Sequence, residues 1–334
     1  MIIQKSYRDK GFKSHLGVNE PKVSIVIVNW NGQEYLKKCL SSAYAQTYRD
    51  FNIVFVDNGS EDGSVEFVAE NFPEAEIIKN NENVGFADGN NIGIKKSFED
   101  IDVKYIATLN NDTIVEPSWL RELVSAAEKD RIIGSCQSKM LRYYDRSIID
   151  STGIKLLANG TVSDRGAGEK DDGQYDKLEE VFGACAGAAL YRREMLNESG
   201  LFPSHYFASF EDVDLAWRAR YAGWKCVYVP SAVVYHFRFA TQKKMLDEKQ
   251  TFSVQKIQNR FSYQMKYLPF GCLLKSAPRL TKLYFKSIRM AIKNGHSDLR
   301  KAIGLLPTVL IERHKYHRDN KLDEIGIYEW LKKK

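Results

Sequence analysis

The sequence predicts a doubly wound α/β fold followed by a basic, mainly helical C-terminal segment, and three observations carry the prediction. Short β-branched or aromatic runs alternate with helix-patterned stretches over the first third of the chain, which is the pattern of strand–helix units on a shared sheet. The first, second and fourth of these runs stop on Asn or Asp, and open α/β sheets place ligand chemistry at such strand ends. Charge is divided along the chain: residues 241–334 hold 21 Lys and Arg against 8 Asp and Glu, a balance of +13, whereas residues 1–240 carry −7. That split implies a mildly acidic body and a basic tail that meets something anionic, either nucleic acid or a phospholipid surface.

Residues 23–28 are a β-branched run closed by Asn29-Trp30-Asn31-Gly32, hence a buried parallel strand and a turn. A helix follows over Glu34 to Tyr44, with Leu36, Cys39, Leu40 and Ala43 on one face. The second strand, Phe51 to Val56, ends on Asp57-Asn58-Gly59-Ser60, and Asp62 or Ser64 caps the next helix. Ile77-Ile78 forms a short third strand. The stretch from Asn80 to Gly93 then holds three glycines and five asparagines, with a helix starting at about Asn90. Glycine lets backbone approach a ligand and asparagine both donates and accepts, so this composition suits a nucleotide pocket. The fourth strand, Tyr105 to Leu109, stops on Asn110-Asn111-Asp112. Asp112 is the hard-cation candidate, because Mg²⁺ or Mn²⁺ on a diphosphate needs only one or two protein oxygens; a plain turn is the alternative.

Pro117 to Lys129 reads as a helix with Pro in its first turn. Residues 131–180 show short extended pieces and a polar loop, Gly166 to Gln174, with the composition of a mobile segment. Small residues from Val181 to Tyr191 permit close approach of another group, and Arg192 to Ser199 is a short helix stopped by Gly200. The second concentrated site is Phe207 to Trp217. Glu211, Asp212 and Asp214 repel one another unless a cation or a shared proton relieves them, although Asp212 can also cap a helix. Lys225 to Pro230 and Ala232 to His236 read as strands.

Several classes are excluded. The five scattered cysteines include no C-x-x-C pair, which argues against a disulfide framework or zinc site and for a reducing cytoplasm. The charged N-terminus has no apolar core of a signal peptide, and no later window suits a membrane span. Neither G-x-G-x-x-G after the first strand nor G-x-x-x-x-G-K-[ST] is present, so dinucleotide and P-loop readings lack their parts.

Five stretches, VSIVIVNWNG (23–32), VDNGSEDGS (56–64), NENVGFADGNNIG (81–93), LNNDT (109–113) and FEDVDLAWRARYAGW (210–224), resemble in order and spacing the motifs of family 2 glycosyltransferases with a GT-A fold. The rhamnosyltransferase-like enzymes of bacterial surface polysaccharide synthesis are the most similar subgroup. By this resemblance Val28, Asn29 and Asp57 meet the nucleotide base, while Asn83, Gly85, Asn90, Asn110 and Asn111 lie along the donor. It also implies that Asp112 and His236 hold the metal, that Asp212 is the catalytic base, and that Phe210, Glu211 and Asp214 face the acceptor. The pattern departs at Asn110, which replaces a carboxylate, and at Phe202-Pro203-Ser204 on the acceptor side.

The expected organisation is an N-terminal extension (1–20), a catalytic domain (21–240, divided near 115) and the basic helical region (241–334). The expected activity is inverting transfer from a nucleoside-diphosphate sugar, dTDP-L-rhamnose or a UDP-hexose, to a saccharide or lipid-linked acceptor. A sugar nucleotidyltransferase and a nucleic-acid-binding protein are the alternatives; no nucleic acid is expected as partner. Lys275, Arg279, Lys282, Lys286, Arg289 and Lys293 form a basic stripe, with Leu280, Leu283, Tyr284, Ile288, Ala291 and Ile292 around it. Over 275–293 that pattern serves either docking of a cytoplasmic enzyme on the inner face of an anionic membrane or packing on the chain's own domain.

Overall fold

The computed structural model describes residues 20–238, 249–294, 306–314, 317 and 324–332. The expected extension therefore lies, up to residue 19, outside the described residues. β1 (Lys22–Asn29), β2 (Phe51–Asp57), β3 (Glu76–Lys79) and β4 (Val103–Leu109) are connected through α1 (Gln33–Tyr44), α2 (Ser64–Asn71) and α3 (Gly85–Ser97). β1 pairs in parallel with β2 and β4, and β2 with β3. Along β1, Val23, Ile25 and Ile27 enter one apolar cluster and Val26 enters a second. Burial of both faces is why these strands read as continuous apolar runs.

Two helix starts differ from expectation. α2 is preceded by Gly63 at φ 82 with no side-chain cap; Asp62 instead accepts the Ser64 amide at 3.1 Å. α3 begins at Gly85, five residues before the expected start, with its first amide held by Asn83 Oδ1 at 3.0 Å. Its glycines disguise it. A Cβ on Gly93 would lie 2.4 Å from Val26 Cγ1, and one on Gly89 2.7 Å from Val28 Cγ1, so tight packing on β1 overrides low helix propensity.

The chain continues through β5 (Thr113–Val115), α4 (Trp119–Ala127), β6 (Ile133–Arg142), β7 (Ile149–Ser151), β8 (Ile154–Leu156), β9 (Val162–Asp164), β10 (Glu179–Val181), β11 (Ala188–Arg192), α5 (Arg193–Ser199), α6 (Glu211–Tyr221) and β12 (Lys225–His236). The main sheet runs β10-β12-β6-β11-β4-β1-β2-β3, with β5 added on β12 and β7 on β6. β11 is antiparallel to β4 and β6, which makes the sheet mixed. The two strands expected around Pro230 are one strand, β12, whose register shifts between Val229 and Val233. The loop from Gly166 to Gln174 is tied down: Lys139 Nζ meets Asp171 at 2.6 Å, and the Ile149 amide donates to Glu169 O at 2.9 Å.

The C-terminal region supplies α7 (Lys249–Tyr267), α8 (Phe270–Asn294), a helical stretch at 306–314 and α9 (Glu324–Lys332). α7 packs on α6. Trp217 stacks on Tyr267 at 5.8 Å and Tyr221 Oη donates to Tyr267 O at 2.6 Å. Pro278 lies inside α8. None of the helices is long and apolar enough to cross a membrane among the described residues.

Candidate active site

Because β1, β2 and β4 are parallel, their C-terminal ends reach one edge of the sheet, and a cavity of about 570 Å³ opens there. Val28, Asn83, Gly85, Asn110, Asn111 and Asp112 are in the wall of it. Asn29 and Asp57 lie beneath that wall. Asn29 Nδ2 donates to Asp57 Oδ1 at 3.1 Å, Asn29 Oδ1 accepts Asn111 Nδ2 at 2.6 Å, and Asp57 Oδ2 accepts the Ser60 amide at 2.8 Å. These bonds brace the strand ends against one another. Asn90 is likewise off the cavity, its Nδ2 donating to Phe86 O at 2.9 Å within its own helix. Asn58, next to Asp57 but not singled out in the sequence, lines the cavity and donates to Gly85 O at 3.0 Å. Gly85 itself has φ 89, and a Cβ there would sit 2.5 Å from Phe207 O, so glycine is required where the loop holding Phe207 crosses the start of α3.

The contact between Asp112 and His236 is made by strand pairing. β12 runs antiparallel to β5 with His236 opposite Thr113. His236 Nε2 thereby comes to 3.2 Å from Asp112 Oδ1, and Nδ1 to 2.7 Å from Asp150 Oδ2. Arg238 also donates to Asp150. Burial opposes the charge on His236, but Asp112 and Asp150 outweigh it and lift the imidazole from 6.5 to about 10. Burial similarly raises Asp150, and His236 with Arg238 more than reverses this, leaving its carboxyl below the usual range.

No cluster of three or more His, Cys, Asp or Glu able to hold a metal occurs among the described residues. Asp112 and His236 nevertheless present one oxygen and one nitrogen to the same cavity, enough for a divalent ion that a diphosphate also ligates. The Nδ1 contact to Asp150 fixes the ring with Nε2 toward Asp112, as second-layer carboxylates do for ligating histidines. The pair fits such an ion, with loss of the imidazolium proton on binding. Asp150 was not singled out, although Ile148-Ile149-Asp150 is another apolar run ending on a carboxylate.

Phe210, Glu211 and Asp212 line the same cavity. Ser209 (φ 73) and Phe210 (φ 75) are both left-handed, a conformation costing about 1–2 kcal/mol for each non-glycine residue. α7 props this loop. Asn259 Nδ2 donates to Ser209 O at 2.9 Å and Ala208 O at 3.3 Å, and Tyr263 packs on Phe210 at 5.4 Å. Asp212 does not cap α6, as expected from sequence; Phe210 occupies the N-cap and Asp212 sits in the first turn. Its Oδ2 accepts the Ala186 amide at 3.3 Å and its Oδ1 the Val213 amide at 2.8 Å.

Burial, and then the charge of Asp164, raises the Asp212 carboxyl from 3.8 to about 6. Burial and Asp212 push Glu211 well above the usual range, and its Oε2 is buried without a hydrogen-bond partner. Both neighbouring carboxyls are thus raised, each buried where ionisation is disfavoured. Asp214 corrects the acceptor-side expectation. It is 1% exposed and bonded to Arg218 Nε at 2.7 Å, with Lys266 Nζ at 3.5 Å; burial raises its carboxyl but these cations bring it below the usual range. Asp164 of β9 and Lys256 of α7 line the cavity without any sequence signal.

The family model described as Glycosyl transferase family 2 matches residues 24–200. The chain belongs to that family. An uncharacterized glycosyltransferase of Haemophilus influenzae is 31% identical over 115 residues, 34% of this chain and only 34% of that protein's length. An N-acetylglucosaminyl-diphospho-decaprenol L-rhamnosyltransferase of Mycobacterium tuberculosis is 26% identical over 233 residues, covering 64% of this chain and 75% of the relative. The mannosyltransferase PcManGT from Pyrobaculum calidifontis, solved with GDP-Man and Mn²⁺, shares the fold at a TM-score of 0.52 and 16% identity, over 93% of this chain and 79% of that one. The GT-A architecture expected from the motifs is therefore present, and the family matched is one of glycosyl transferases, not of sugar nucleotidyltransferases.

Proposed function

We propose that this glycosyltransferase moves a sugar from a nucleoside-diphosphate donor, dTDP-L-rhamnose or a UDP-hexose, to a hydroxyl of a saccharide or lipid-linked acceptor in cell-surface polysaccharide synthesis. The observation that carries the reading is that Asp112, in contact with His236, and Asp212 line a single cavity. On this reading the donor half, about residues 21–115, and the acceptor half, about 116–240, meet across the reacting atoms.

Asp212, ionised at neutral pH, removes the acceptor hydroxyl proton while the acceptor oxygen bonds to the anomeric carbon and the nucleoside diphosphate departs. Glu211, whose carboxyl is raised by burial and by Asp212, donates a hydrogen bond to an acceptor oxygen in its protonated form. Asp112 and His236 would hold Mg²⁺ or Mn²⁺, which supplies neutralisation of the charge developing on the leaving diphosphate. Asn83, Asn110 and Asn111 orient the donor with neutral hydrogen bonds, over the brace of Asn29 and Asp57. The names of the relatives support this choice: one is an L-rhamnosyltransferase, and another was solved with a nucleotide sugar and Mn²⁺.

Direct displacement by one base predicts inversion at the anomeric carbon. The test is a thermal-shift screen of UDP-, dTDP- and GDP-sugars with and without Mn²⁺, followed by NMR of the product. A shift that needs both nucleotide sugar and metal, and an inverted product, are expected. No shift with any donor, or retained configuration, refutes the proposal.

A further inference from the structure

α8 has an unusual outer side. Phe270, Leu274, Phe285 and Ile292 are 65%, 58%, 62% and 62% exposed, although they belong to a helix packed on the rest of the chain. The steps between them, 4, 11 and 7 residues, return each to nearly the same face at about 3.6 residues per turn. Lys275, Lys282, Lys286, Arg289 and Lys293 are also exposed and form a parallel strip about a quarter of a turn away. The helix contains no acidic residue. Its other side is taken: Ser276, Leu280, Ser287 and Ala291 are buried, and Arg279 Nη2 donates to Asn159 O at 2.6 Å.

The structure thus redraws the stripe read from sequence. Arg279, Leu280 and Ala291 serve packing, and the surface is instead a ridge of large apolar side chains beside five cations. We propose that this ridge docks the enzyme on an anionic lipid surface, with α8 lying in the plane of the interface. Apolar side chains reach the acyl boundary while the adjacent lysines stay among anionic headgroups. A second copy is a poor match, because facing ridges would set like charges against each other. A nucleic acid matches the cations but leaves Leu274 and Ile292 without an apolar partner. The docking is independent of the donor assignment. It would place at a membrane the same helical unit that, through Asn259 of α7, props the loop before Asp212.

The test is cosedimentation of the full chain with vesicles of equimolar phosphatidylcholine and phosphatidylglycerol, and with phosphatidylcholine alone. Strong binding to the first, weaker binding to the second, and loss at high salt are expected. Lys282→Gln/Lys286→Gln/Arg289→Gln should lower affinity for the anionic vesicles roughly 100-fold, at about 1 kcal/mol for each charge near the surface. Phe285→Ser/Ile292→Ser should weaken binding to both vesicles, with the circular dichroism spectrum and melting temperature of each variant reporting that it is folded. The inference is overturned by no binding to anionic vesicles, by equal binding of the folded variants, or by a dimer in light scattering that the Phe285→Ser/Ile292→Ser change dissociates. Tighter salt-dependent binding to duplex DNA or RNA than to vesicles also overturns it.

Discussion

Asp212→Asn separates the two consequences of placing a carboxylate in this cavity. The substitution preserves shape and one of the two oxygens that accept the Ala186 and Val213 amides. A carboxyl raised from 3.8 to about 6 binds its proton more tightly folded than unfolded. The folded state therefore loses stability as pH rises from about 4 to about 6, and the deficit, an upper bound of roughly 3 kcal/mol, stays constant above that window. Solvent in the cavity reduces the penalty, and loss of one accepted hydrogen bond offsets about 1 kcal/mol. The asparagine variant should consequently be more stable by about 1–2 kcal/mol above pH 6, a rise in Tm of roughly 1–3 °C for a chain of 334 residues, with the gain vanishing toward pH 4. Its transfer rate should fall by about 10²–10⁴. In the parent enzyme kcat/KM should decline tenfold per pH unit below about 6. Melts across pH and initial rates with a nucleotide sugar and acceptor measure all three. A variant that keeps more than about a tenth of the activity refutes the base assignment. A lower Tm at neutral pH refutes the account of its burial.

Asp112→Ala should abolish the Mn²⁺-dependent part of the donor thermal shift while leaving the fold intact, because the carboxylate is the charged member of the two-ligand pair. A metal-dependent shift of unchanged size would return residues 109–113 to the status of a turn. Asp164→Asn removes the charge that helps raise Asp212, so the acid limb of the pH–rate profile should move to lower pH. An unmoved limb would show that burial alone sets it. Asn259→Ala removes two hydrogen bonds from the left-handed loop before Asp212. It should cost about 1–2 kcal/mol of stability and lower kcat more than it raises KM, with Asn259→Asp failing to rescue because a carboxylate cannot donate. Unchanged kcat in a destabilised variant would assign Asn259 to packing only.

The corrections at α6 show how far local signals reach. Three carboxylates within residues 211–214 are visible in the chain, and so is the electrostatic problem they create. The answer differs for each: Glu211 is buried with its carboxyl raised, Asp212 shares the cavity with Asp164, and Asp214 turns to Arg218 and to Lys266 on α7. Only Arg218 among these partners is a neighbour in sequence. A comparable limit applied to α3, where glycine and asparagine obscured a helix that close packing on β1 demands.

The sequence by itself determined the alternation of buried strands and helices, the polar ends of β1, β2 and β4, and the order of the motifs. Those properties depend on which residues can be buried on both faces of a strand, and burial leaves its mark on neighbouring positions in the chain. Tertiary structure alone decided that β12 would fold back along β5 to set His236 between Asp112 and Asp150, that Asn29 and Asp57 would brace the wall instead of lining it, and that the ridge of α8 would face outward. Charge and hydrogen-bond partners are chosen by proximity in space, and proximity here arises from strand pairing and helix packing between segments far apart in the chain.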